Sequence, residues 1–171
     1  MKPGLLLLFA AFMMITGCEK IKDATSVKVD TSFEADFPVT VTEVKTTTAS
    51  VFSVSEVISL ADNSDLSDYL SRIEDIALSN LVITVSGLME GQTINSLSLD
   101  ASGVGNVLTI NNITMSNNTF TPEISSSVLK QMGDKLQADK TLTLTVSGET
   151  SGPMTFLVNC NMDAKVVVAT L

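Results

Sequence analysis

Met154-Thr155-Phe156-Leu157-Val158-Asn159-Cys160-Asn161-Met162-Asp163-Ala164-Lys165-Val166-Val167-Val168 is the longest alternation in the chain. Met154, Phe156, Val158, Cys160, Met162, Ala164, Val166 and Val168 share one parity. In a strand successive side chains point to opposite faces, so this set lines one buried face. Near the other end the same pattern returns. Val27, Val29, Thr31, Phe33, Ala35, Phe37, Val39 and Val41 alternate with Lys28, Asp30, Ser32, Glu34, Asp36, Pro38, Thr40 and Thr42. Pro38 has no N–H to give to a ladder, so it marks an edge, a bend or a break between two strands.

Between these ends the signals stay mostly β. Phe52, Val54, Ile58 and Leu60 suggest a strand whose inner face Glu56 interrupts. Leu81, Ile83 and Val85 suggest another, as do Leu97 with Leu99, Val107 to Met115, and Leu142, Leu144 and Val146. Turns fall at Glu90-Gly91, at Gly103 to Asn106, at Asn117-Asn118 and at Gly148 to Pro153. Two short helices are expected. Ser64 reads as an N-cap, and Leu66, Tyr69, Leu70 and Ile73 fall at helical spacing, which predicts a helix from about Asp65 to Asp75. Thr121-Pro122 reads as the start of a second, with Ile124, Val128, Leu129, Met132 and Leu136 along one face. Gly133 inside it costs about 1 kcal/mol relative to Ala. The fold class is therefore mostly β: an antiparallel β-sandwich of about eight strands with two short helices. Leu81 to Gly87 echoes Leu142 to Gly148, which raises a ββαβ unit used twice.

The N-terminus carries an address. Lys2 precedes an unbroken apolar stretch from Leu5 to Ile15, followed by Thr16, Gly17 and Cys18. The stretch is too short to span a bilayer, which takes about 20 apolar residues. A basic start, an apolar centre and a small residue at the cut form a secretory signal. Ile15-Thr16-Gly17-Cys18 resembles the lipobox of bacterial lipoproteins. The resemblance implies a diacylglyceryl group on the Cys18 sulfur, cleavage before Cys18 and acylation of the new amine. Each buried methylene contributes about 0.8 kcal/mol, so two or three chains hold far better than one. Residues 1–17 are then the signal peptide, 18–26 a lipidated tether and 27–171 a β-rich domain. Glu19 stands where an aspartate would imply inner-membrane retention in proteobacterial lipoproteins, which points to the outer membrane of the cell envelope. Glu19-Lys20-Lys22-Asp23 loosely resembles surface-export signals of Bacteroidetes lipoproteins. The mature layout, from Leu142 to Phe156 above all, looks like that of small Bacteroidetes-type lipoproteins, and this likeness transfers no activity.

Composition closes several doors. The chain has 171 residues, 10 Lys and Arg, 19 Asp and Glu and a formal charge of −9. Removing the signal takes away Lys2 and no acid, so the mature domain is more acidic still. Lysines are scattered, and an acidic body without a basic patch is not a nucleic-acid binder. No histidine is present, which removes the usual general base and the commonest zinc ligand. No tryptophan and one tyrosine, Tyr69, disfavour a sugar-stacking platform. Of two cysteines, Cys18 goes to lipid. Cys160 is left alone on the core parity, where a thiol acts as a small inert hydrophobe.

Candidate chemistry is sparse. Asp62, Asp65 and Asp68, with Asn63, cluster at the start of the first expected helix and are weak calcium candidates. The EF-hand loop is absent, and acids at a helix start already have a reason in the helix dipole. Glu74 with Asp75, and Glu123 with Asp134 or Asp139, have no spacing that selects them for acid–base work. No Gly-x-Ser-x-Gly, Ser-x-x-Lys or phosphate loop occurs, so no catalytic residue is assigned. Asn112-Ile113-Thr114 and Asn117-Asn118-Thr119 fit the N-glycosylation pattern, which carries no meaning in a bacterial lipoprotein. Phe33, Phe37, Phe52, Phe120 and Phe156 either fill a core or line an apolar cavity. The expectation is a non-catalytic, membrane-anchored interaction module with no cofactor, whose partners are the membrane, through its lipid, and an envelope protein. The alternative is a carrier of a lipid or other apolar ligand.

Overall fold

A computed structural model describes residues 26–42 and 50–170. The described chain forms two four-stranded antiparallel sheets. Strands β1 (Ser26–Val41), β8 (Met154–Ala169), β3 (Ile73–Ser86) and β6 (Thr119–Phe120) lie in that order in sheet A. Sheet B has the order β2 (Ser50–Ser59), β7 (Thr141–Thr150), β4 (Thr93–Ala101) and β5 (Gly105–Thr114). One α-helix, α1 (Ser126–Asp139), joins β6 to β7. Only β4 and β5 form a hairpin within one sheet, since every other connection crosses between layers.

The two longest alternations lie side by side. β1 pairs β8 from Ser26↔Ala169 to Val41↔Met154 without a register shift. Their apolar parity therefore points inward over the full length: Phe33 faces across to Met162, and Phe37 to Val158. Across the interlayer space, Phe52 of β2 meets Phe156 of β8 edge to face, with ring centroids 5.3 Å apart at 85°. Such a pair adds about 0.5–1.5 kcal/mol beyond burial alone. Leu97, Leu99, Leu144 and Val146 complete the opposite wall and are fully buried. Pro38 does not break β1. Asn63 donates its side-chain N–H to the Ser32 carbonyl from the side away from β8, at 3.0 Å. Pro38 has the same parity as Ser32, so its missing N–H falls on the free edge of sheet A, where proline is tolerated.

The first expected helix is not there. Two short 3-10 turns, Leu60–Asp62 and Ser67–Tyr69, carry the chain from sheet B to sheet A, and Ile73 already belongs to β3. Leu66 is fully buried under the crossing, with Leu60. The turns are held locally, as the N–H groups of Leu66 and Ser67 both donate to the Asn63 carbonyl. A helix to Asp75 would remove the Ile73↔Val168 end of the β3–β8 ladder, and that pairing wins. The second helix exists but starts later than Thr121-Pro122. Ser125 is its N-cap, accepting the Val128 N–H on its hydroxyl at 3.3 Å. Pro at a first helical position is permissive, whereas a side-chain cap satisfies a donor the helix leaves orphaned.

A duplicated ββαβ unit is not seen. The first half has no α-helix, and the echoing strands lie in different sheets, β3 in A and β7 in B. The paired glycines also differ. Gly87 sits at φ +88°, whereas Gly148 lies where an added Cβ would overlap the Ser96 carbonyl.

Helix α1 closes the flank that β6, only two residues long, leaves uncovered. β6 pairs β3 at Ile83 and Thr84 alone. Lower down, α1 lies along the outer edge of β3. Gln137 donates to the Glu74 carbonyl at 2.9 Å, and Gly133 abuts the Ile76 carbonyl so closely that a Cβ could not fit. The glycine that weakens α1 as an isolated helix is what lets it reach the strand.

Candidate functional site

Asn63 organises the crossing between the 3-10 turns. Its Nδ2 reaches both Ser32 O and Thr31 Oγ1, the latter at 3.1 Å, and its Oδ1 accepts the Asp65 N–H at 3.0 Å. Thr31 in turn donates its hydroxyl to Asp65 Oδ2 at 2.9 Å. Asp65 is thus tied to the edge of β1, while Asp62 and Asp68 sit in the first and second turn. Among the described residues no group of three or more acids, cysteines or histidines is placed to hold a metal ion.

Beside this crossing lies the largest depression, an open groove of about 970 Å³. Asp30, Asp62, Asp65 and Asp163 line it, with Lys165 as the cationic group on its wall. Lys165 Nζ stands 3.6 Å from Asp30, and Asn80 donates to Asp163 at 3.0 Å. These groups are largely exposed, so such pairs contribute little to stability. The groove is a hydrated, acidic surface that can hydrogen-bond a cationic or hydroxylated molecule. It holds no nucleophile paired with a base.

The other imagined carboxylate pairs are separated. Asp134 receives Lys130 at 2.7 Å, and Asp139 receives Lys135 at 2.7 Å, both as i,i+4 pairs along α1. The hydrogen bond to Asp134, then its charge, raises the Lys130 ammonium above its ordinary range. Glu74 and Asp75 are both exposed on β3. Asn112, in the first glycosylation pattern, takes φ 57° within β5.

Cys160 lies where its parity put it. Its register partners are Ala35 and Ile83, and it is fully buried on the inner face of sheet A. Desolvation first, and the charge of Asp36 second, push its thiol up to about 12. A thiol so far from ionised is neither a nucleophile nor a metal ligand at neutral pH. Ile15, Thr16, Gly17 and Cys18 lie outside the described residues.

The apolar surface holds one feature the periodicity had not singled out. Val51 is 75% exposed and Val57 58%, both on β2, the terminal strand of sheet B. They occupy the parity opposite to Phe52 and Ile58, and that offset is the signal that places them outside.

No family model matches the chain, and no curated protein matches it. Among solved structures it is similar to a chain described as Desmodium yellow mottle tymovirus, at 12% identity, covering 84% of this chain and 89% of that one, with a TM-score of 0.28.

Proposed function

We propose that this protein is a non-catalytic lipoprotein of the bacterial cell envelope, anchored through Cys18 in the outer membrane and presenting its sandwich as an interaction module. The observation that carries the reading is the apolar run Leu5 to Ile15 ending in Thr16-Gly17-Cys18. Two features of the fold support the second half of it. The interior is occupied by Phe33, Phe37, Phe156, Met132 and Met162, all buried, which leaves the carrier reading without a chamber among the described residues. The largest groove is open, polar and acidic, the surface of a protein that meets partners rather than encloses a ligand. An acidic body is also repelled by anionic head groups and stands off the bilayer on its tether.

The test is metabolic labelling with radioactive palmitate in a bacterial host. The unaltered chain should take up label and shorten to the mature form. Cys18→Ala should stay unlabelled and uncut by the lipoprotein peptidase. Undiminished labelling of Cys18→Ala would overturn the anchor.

A further inference from the structure

Four strands end the two sheets, and three of them are guarded. On β1 stand Pro38 and the Asn63 clasp on Ser32. β6 is two residues long, and α1 covers β3 beyond it. β5 leaves the extended conformation at Asn112, φ 57°. Such devices keep an edge from templating another chain. β2 has none of them: Ser50–Ser59 contains no Pro, Gly or Lys, and it pairs β7 without a register shift. Its outward residues include the two exposed valines.

We infer that β2 is a homotypic docking edge, on which a second copy of this chain adds its own β2 antiparallel across a two-fold axis through Val54. The strand is self-complementary about that residue. Val51 of each copy falls opposite Val57 of the other, Ser53 opposite Ser55, and Phe52 opposite Glu56. Directly opposed side chains lie about 4.5–5.5 Å apart at Cβ, so both exposed valines gain a β-branched partner at once. The two Glu56 carboxylates do not oppose each other in this register. The charge distribution favours this edge too. On the outer face of sheet B the β7 neighbours of Ser53, Ser55 and Val57 are Ser147, Thr145 and Thr143. The outer face of sheet A carries Asp30, Glu34, Asp36 and Asp163 instead. A chain of charge −9 repels its copy least where its surface is neutral hydroxyl. A two-fold contact of this kind closes on itself and gives a dimer rather than a fibre. The inference rests on the fold alone and stands or falls separately from the Cys18 anchor.

The test is register-specific crosslinking of the full chain in cells. Val51→Cys and Val57→Cys are made in separately tagged copies, co-expressed, and oxidised with copper phenanthroline. The unaltered chain gives the baseline from Cys18 and Cys160. The mixed pair should form a disulfide dimer at least about tenfold above either variant alone, because like positions lie six residues, about 20 Å, apart along the ladder. Maleimide labelling of both variants shows that the new thiols are accessible. Accessible thiols with no mixed dimer above baseline would overturn the inference. So would equal crosslinking of Val51→Cys with itself, which marks random collision. A crosslink to a different protein would show the edge taken by a foreign strand and would overturn the homotypic pairing.

Discussion

Gly133→Ala separates what a helix wants alone from what this helix does in the fold. In an isolated helix the change stabilises by about 1 kcal/mol. Here the added Cβ meets the Ile76 carbonyl oxygen and comes within 3.9 Å of Leu78 Cγ. The obstacle is backbone held in the β3–β8 ladder, where Ile76 pairs Val166, so it cannot rotate away as a side chain would. Relief requires α1 to lift from the edge of β3. That loosens Met132 and Leu136, both fully buried, and stretches the Gln137–Glu74 hydrogen bond. Overpacking costs about 1–3 kcal/mol, and a backbone obstacle belongs at the upper end. After subtracting the helix gain, a net loss of about 2 kcal/mol is expected. For a domain of this size that lowers Tm by about 4–8 °C. Thermal and urea unfolding of the two purified proteins, followed by far-UV circular dichroism, measures it. An unchanged or raised Tm would refute the claim that the glycine is there to let the helix reach the strand.

Three further outcomes are expected. With its thiol raised from 9.0 to about 12, Cys160 has about a thousandfold less thiolate at pH 8 than an ordinary cysteine, so Ellman's reagent should label it only after denaturation; rapid labelling of the native protein would show it on the wrong face. The native state also keeps that proton longer than the unfolded chain, so this stabilisation is complete below pH 9.0 and is lost as pH rises toward 12, by about 1.4 kcal/mol per pH unit. Urea midpoints measured from pH 8 to pH 10 should therefore fall more steeply for the unaltered chain than for Cys160→Ala, and equal slopes would contradict the burial account. Asn63→Ala strips the clasp from Ser32 O, Thr31 and Asp65, and should cost about 1–2 kcal/mol in urea titration, whereas a purely decorative loop would leave the midpoint in place.

What the sequence reveals depends on whether a strand keeps its parity. β1 and β8 run in one unbroken register, so plain alternation located their inner faces, Cys160 included. β3 does not. Its ladder slips between Ile73 and Asp75 and again between Ser79 and Leu81, with Asn80 at φ 45°. The buried residues Ile73, Ile76, Leu78 and Leu81 are therefore spaced three, two and three apart, a pattern that imitates a helix. A bulge is a tertiary decision, taken to follow the twist of β8, and local periodicity has no sign of it. Gly133 was legible as a defect and not as a contact, because its reason lies on a strand more than fifty residues away. The crossing at Asn63 was legible only as a patch of polar residues. That it clasps an edge follows from where β1 ends its sheet.

The central claim is that Cys18 becomes the lipidated first residue of an envelope protein. Mass spectrometry of the N-terminal peptide, from protein purified out of the membrane fraction, tests it most directly. The expected species begins at Cys18 and carries a diacylglyceryl thioether with an acylated amine. A peptide that retains residues 1–17, or one that begins at an unmodified Cys18, would contradict it.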